Sequence, residues 1–180
     1  MRVIPDSLNS ERQLYQAGAE LIGYNDATAT AEILVMGVKA LLSVGLKSIT
    51  VDLGVPSLAE KLLCNLSGDQ GVLAKKSILD KDTDALLKID DKNINLIVKI
   101  MNASGSDREA LLKLLPEMSE DARNMIDDML FVAWQLREAY PTLPITFDPL
   151  EMRGFDYHTG VGFSIFAEGL RGEIARGGAY

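Results

Sequence analysis

Two groups of polar residues have types and spacing that suit a small zwitterionic ligand. In the first, ERQLYQAGAELI from Glu11 to Ile22 alternates, so that a strand would carry Gln16, Gly18 and Glu20 on one face and Tyr15, Ala17 and Ala19 on the other. An amide beside a carboxylate suits an ammonium or imidazole N–H ligand, and a glycine between them permits close approach. The same alternation also fits a strand that is wet on one side. The second group is RGFDYHTG, Arg153 to Gly160. Arg153 offers a planar fork to a carboxylate, and Tyr157 and His158 carry hydrogen-bonding tips on apolar rings. A tight turn with a solvent-facing arginine and a structural histidine would use the same residues.

Other chemistries find no support in the sequence. There is no GxxxxGK[ST] phosphate loop and no GxGxxG after a strand, and one histidine with one cysteine cannot make a zinc cluster. No cofactor is implied. Ser164, His158 and Asp156 could be drawn as a hydrolytic triad, but no nucleophile elbow frames the serine. The formal net charge of -8 works against a broad phosphate-binding surface. No basic-then-apolar leader is present and no apolar run approaches the roughly 20 residues of a membrane span, so a cytoplasmic protein is expected. Cys64, in the apolar run Lys61 to Leu66, reads as a buried thiol.

The elements that must position these groups are legible in outline. At 180 residues the chain can bury one core, with an insertion. Ile33, Leu34, Val38, Leu41 and Leu42 predict a helix from Ala29 to Val44, stopped by Gly45. The β-branched run Ser48 to Leu53 predicts a buried strand. Pro56, with Ser57 and Glu60 as a capping box, opens a helical stretch that reaches Tyr140. Within it Ser106 and Glu109 form a second such box, and Pro116 a stop. A last helix from Ser119 places Ala122, Met125, Ile126, Met129, Leu130, Ala133 and Leu136 on one stripe. Strands follow at Ile145–Asp148, Gly160–Ala167 and Leu170–Ala175, and RGGAY at the end reads as a glycine turn. Strands at both ends with helices between predict an α+β fold. Residues 1–55 and 141–180 would form its antiparallel sheet core, and 56–140 a helical insertion plus a return helix. Both ends look abrupt, as in a piece of a longer chain.

At these motifs the sequence resembles the class II catalytic core of the histidyl-tRNA synthetase family, including its non-synthetase branch, the regulatory subunits of ATP phosphoribosyltransferase. The likeness runs nearly end to end. The family's RGLDYYTG motif is matched by RGFDYHTG, its AGGRYD loop by RGGAY at Arg176 to Tyr180, and its FHQIGxE strand by LYQAGAE at Leu14 to Glu20. Spacing back from Gln16 puts Arg2 at the family's motif 2 arginine. The resemblance implies a histidine-binding pocket in which Arg2 faces the carboxylate. Arg153 resembles a catalytic cation of the synthetase and, in a chain that does not activate an amino acid, would instead pair with the ligand carboxylate. In this pocket Gln16 and Glu20 hold the ammonium and imidazole, while Tyr157, His158 and Tyr180 close around the side chain.

The departures fall on the nucleotide side of that pocket. Ile4 stands where the family has an adenine-contacting glutamate, Ser10 where it has a phosphate-contacting arginine, and Ala179 where the second loop has an arginine. Activation of an amino acid with ATP needs cations against developing phosphate charge. Their loss implies a non-catalytic regulatory subunit that senses histidine and supports a short-form ATP phosphoribosyltransferase catalytic subunit in the first step of histidine biosynthesis. It also implies a homodimer within a hetero-oligomer and no tRNA partner. An active synthetase and an interaction scaffold with a vestigial pocket are the rival expectations. His158, in place of a tyrosine, would make ligand affinity sensitive to pH near the ordinary imidazole range.

Overall fold

The computed structural model describes residues 2–3, 13–24, 26–154 and 157–180, with the side chains of 2, 3, 13 and 14 left aside. Arg2–Val3 (β1) pairs antiparallel with Gln13–Leu14 (β2). A helix over Ala27–Ser43 (α1) follows, then a strand over Ile49–Gly54 (β3). Next come helices Pro56–Leu62 (α2), Gly68–Leu79 (α3), Thr83–Leu86 (α4), Ile94–Ala103 (α5) and Arg108–Leu112 (α6), and a 3-10 turn at Leu115–Glu117. The long helix Glu120–Ala139 (α7) returns the chain to strands Ile145–Phe147 (β4), Gly162–Ala167 (β5) and Ala175–Gly178 (β6).

The main sheet has the order β4-β3-β5-β6. Pairs β3/β5 and β5/β6 are antiparallel, whereas β3 and β4 run parallel because the whole helical stretch lies between them as a crossover. The sheet is therefore mixed, and the α+β class stands. Past β4 the sheet is extended by Gly105, which exchanges backbone hydrogen bonds of 2.8 and 2.9 Å with Phe147.

Alternation divides the sheet into two faces. Val51, Leu53, Ile145, Phe147, Phe163 and Ile165 are buried, and they join one continuous core with Leu34 and Val38 of α1 and Ile126, Met129, Ala133 and Leu136 of α7. The same core continues through Ile78, Leu86, Ile97, Ile100 and Leu111 of the helical stretch. Thr50, Asp52, Thr146, Ser164 and Phe166 alternate with these residues and are half-buried on the other face.

Several local expectations change on contact with packing. Helix α1 begins two residues early because Asp26 caps it, accepting from the Ala29 N–H at 2.8 Å. Gly45 at φ 90° ends it, but Leu42 lies on the outer face. Ser57 does not cap α2: Val55 takes that place without a side-chain bond, and the Ser57 hydroxyl reaches across to the Thr159 carbonyl at 3.0 Å. Asp107, not Ser106, caps α6. Pro116 lies inside a 3-10 turn. Cys64 is exposed, since Leu62 and Leu63 take the core positions just before it. The strand expected at Leu170–Ala175 lies at Ala175–Gly178 instead, because Gly169 and Gly172, at φ 81° and 74°, spend the preceding residues in turns.

Candidate functional site

The half-buried face of the sheet forms the floor of a cleft of about 200 Å³, bordered by Asp148, Glu151, Arg153 and Glu173. Register places Thr146, Asp52, Ser164 and Arg176 side by side, one from each of the four strands. The result is a polar row across the sheet. Thr146 donates to the Asp52 carboxylate. Ser164 donates to Glu173 Oε2 at 3.1 Å, and Arg176 pairs with the same oxygen at 2.6 Å. The other arm of Arg176 donates to the Gly154 carbonyl at 2.9 Å, which ties the edge strand to the RGFDYHTG turn.

That turn is docked on β6 and the residue after it at several further points. The Thr159 N–H donates to the Ala179 carbonyl at 2.9 Å. The His158 ring is half-buried against Gly178, where a Cβ would lie 2.5 Å from His158 Cδ2 and 2.8 Å from the Val161 carbonyl oxygen. A Cβ on Gly177 would lie 2.4 Å from the Phe163 ring. The two glycines expected to make a turn are thus strand residues whose missing side chains admit one ring on each face. Gly154, at φ 74°, answers a backbone need that few other residues meet without strain.

The residues singled out in the sequence separate into two sets. Arg153 borders the cleft, is exposed, and donates its guanidinium to the Leu79 carbonyl at the end of α3. Its backbone N–H donates to Glu151 at 2.8 Å. His158 is packed as described, whereas Tyr157 is 86% exposed. Gln16 and Glu20 lie on no strand: residues 15–22 follow β2 without regular secondary structure, and every one is exposed. The cause is composition, because Gln, Ala, Gly and Glu favour strands weakly and bring little apolar area to hold them to a sheet. Gly18 has nothing within 4 Å of a Cβ position, so it serves no close approach. Glu20 still meets Tyr180, whose phenol is pushed above its ordinary range by burial, then by the Glu20 charge and its hydrogen bond to that carboxylate. Arg2 lies on β1 opposite Leu14. Ile4, Ser10 and Asp156 fall outside the described residues.

Sequence reasoning passed over Asp52, Glu151, Glu173 and Arg176. The alternation in ITVDLG and GFSIFA signals that Asp52 and Ser164 leave the core face, but their alignment with Arg176 depends on strand register. Among the described residues no group of three or more His, Cys, Asp or Glu side chains could hold a metal ion. No helix among them is long and apolar enough to cross a membrane.

Comparison with known proteins fits this sheet and its motifs. The family model described as histidyl-tRNA synthetase matches residues 1–180. The chain belongs to the histidyl-tRNA synthetase family. Within this family, curated relatives that it matches are named ATP phosphoribosyltransferase regulatory subunit. One from Rhodospirillum centenum is 37% identical over all of this chain and 47% of its own length, and one from Rhodospirillum rubrum is 36% identical over all of this chain and 48% of its own. The chain spans about half the length of these relatives. Among solved structures, an ATP phosphoribosyltransferase regulatory subunit/histidyl-tRNA synthetase from Bacillus halodurans superposes with a TM-score of 0.74 at 19% identity, covering 88% of this chain and 44% of that one. The ATP phosphoribosyl transferase (HisG:HisZ) complex from Thermotoga maritima contains a chain with a TM-score of 0.70 at 22% identity, covering 86% of this chain and 56% of that one. These likenesses show the synthetase-like fold.

Proposed function

We propose that this chain is the core of a non-catalytic regulatory subunit of ATP phosphoribosyltransferase. The subunit binds histidine in the sheet cleft and supports a short-form catalytic subunit in the cytoplasm. The relatives' shared name supports the role, and the observation that carries the ligand is the placement of Arg153 at a cleft with a carboxylate-rich border. A cationic fork for one end of an amino acid, next to Asp52, Glu151 and Glu173 for its ammonium and imidazole, suits histidine and repels a triphosphate. Arg2, Gln16, Glu20, Tyr157, His158 and Tyr180 complete the pocket in this reading, which the contact between Glu20 and Tyr180 supports. Residues 1–55 and 141–180 act as the ligand-binding unit, and 56–140 as the helical insertion plus its return helix. The full-length subunit forms a homodimer within the hetero-oligomer.

The test uses the full-length protein mixed with a short-form catalytic subunit. Phosphoribosyl transfer that appears only in the mixture, and falls when histidine is added, is the expected result. Histidine-dependent pyrophosphate exchange by the protein alone would instead make it a synthetase. Absence of histidine binding in a calorimetric titration would leave the scaffold reading.

A further inference from the structure

The turn that closes α3 sits against this cleft and engages it twice. Arg153 donates to the Leu79 carbonyl, and Lys81 Nζ lies 2.6 Å from Asp148 Oδ2. The other oxygen of Asp148 lies 3.4 Å from the Ser104 hydroxyl, which has the Ile100 carbonyl closer at 3.2 Å, and the Asp148 backbone N–H donates to the Leu53 carbonyl of β3 at 2.8 Å, which fixes the residue that receives Lys81. Both Arg153 and Asp148 border the cleft.

The geometry of the turn is unusual for its residues. Lys81 occupies the left-handed position after the helix at φ 55°, where glycine is ordinarily found. The turn is closed behind it by the Asp82 N–H donating to the Ser77 carbonyl at 2.8 Å. Asp82 then caps α4, accepting from the Ala85 N–H at 2.9 Å. A lysine held left-handed in this way points its ammonium at Asp148 at some cost in backbone energy. Leu79, one residue before the cap of α3, presents a carbonyl at the negative end of the helix dipole. To the Arg153 fork this carbonyl is a weaker version of a carboxylate.

We propose that residues 79–82 form a latch, in which the α3 carboxyl end holds Arg153 in place of a ligand carboxylate and is displaced when such a ligand binds. The inference rests on the reading of Arg153 as the carboxylate contact. It adds what that reading lacks, a route by which occupancy of the cleft changes the helical stretch. A ligand carboxylate carries a full charge and outbids the Leu79 carbonyl for the guanidinium. Lys81–Asp148 is the second hold, and an ion pair this exposed is weak enough to open with the first.

The test follows amide hydrogen exchange over residues 76–87 in the full-length protein, with L-histidine and with L-histidinol, which lacks the carboxylate. Histidine is expected to speed exchange in this segment severalfold, and histidinol to leave it unchanged. Lys81→Met is expected to speed exchange without ligand and to bind histidine about fivefold more tightly, because the fraction of protein with a free cleft rises. Asp148→Asn removes the same pair from the other side and is expected to speed ligand-free exchange similarly. Histidine binding that leaves exchange at 76–87 unchanged, or a Lys81→Met variant with equal or weaker affinity, overturns the latch and spares the ligand assignment. No histidine binding by either protein overturns both.

Discussion

The RGFDYHTG turn and the LYQAGAE segment carry equally suggestive residues, yet only the first is built into the fold. The turn is held by Arg176 of β6 and the Ala179 carbonyl just after it, from α2 by Ser57, and from α3 by Leu79. Residues 15–24 are all exposed. The polar residues are not what differs. Beside the turn stand Gly177 and Gly178, which let Phe163 and His158 reach the backbone, and an apolar strand, GFSIFA, that fixes the register. Around Gln16 and Glu20 the side chains are exposed, Gly18 between them has nothing within 4 Å of a Cβ position, and the contact of Glu20 with Tyr180 joins two exposed residues. Polar type and spacing nominate a site, and packing beneath it decides whether the site is rigid.

The sharpest way to break this comparison is to fill the docking surface. Gly178→Ala forces a Cβ against the Val161 carbonyl and the Gly162 Cα at 2.8 and 2.9 Å, both backbone atoms that cannot swing aside. A loss of about 2 kcal/mol in urea unfolding is expected, within the range for overpacking. Histidine binding should weaken with it as the turn shifts. A stability within 0.5 kcal/mol of the parent, the range of ordinary surface changes, would mean that β6 does not hold the turn.

Arg176→Met comes next. It removes the strut to Gly154 and the pair with Glu173, at a cost of about 1 kcal/mol for a half-exposed charged contact. The larger effect should be on the ligand, with histidine affinity falling about tenfold, equal to roughly 1.4 kcal/mol. Equal affinity in this variant would separate the sheet row from the pocket.

The uneven legibility of the sequence has the same physical origin. Helices α1 and α7 and strands β3 and β5 are readable because each buries a periodic apolar face, and periodicity survives without knowledge of neighbours. Strand β6 is not: ARGG has no strand-forming residue, and its glycines make sense only once Phe163 and His158 stand against them. Ser57 looks like a cap because its spacing to Glu60 is right, but Pro56 already starts the helix and frees the hydroxyl for Thr159. Arg153 and His158 stand out as site candidates by type. Asp52 and Arg176 do not, because a row across four strands is written in register, which no single strand reveals.

A smaller effect tests the face of the molecule away from the cleft. Asp128 on α7 has its carboxyl raised above the ordinary value by burial, then by the charges of Asp127 and Asp26. The folded state therefore holds this proton more tightly than the unfolded chain. The charged form destabilises the fold above the raised value, and the penalty fades as pH falls below the ordinary carboxylate range. Asp128→Asn should stabilise the protein by about 0.5 kcal/mol or less at neutral pH, consistent with a surface change. The two proteins should converge in acid, as read from unfolding midpoints across pH. Ligand affinity should not move, since Asp128 does not border the cleft.

The smallest expected effect is the most informative about the segment that is not built in. Gly18 lies between Gln16 and Glu20, has no atom within 4 Å of a Cβ position, and is not among the glycines with positive φ. An alanine there meets no steric obstacle and slightly reduces the freedom of the unfolded chain. Gly18→Ala should leave unfolding free energy within about 0.5 kcal/mol and histidine affinity within about twofold, under 0.5 kcal/mol. A tenfold loss of affinity at unchanged stability would show that the ligand draws LYQAGAE against itself and needs the bare backbone at Gly18. In that case the exposed segment and the docked turn are two halves of one pocket, one preformed and one assembled around histidine.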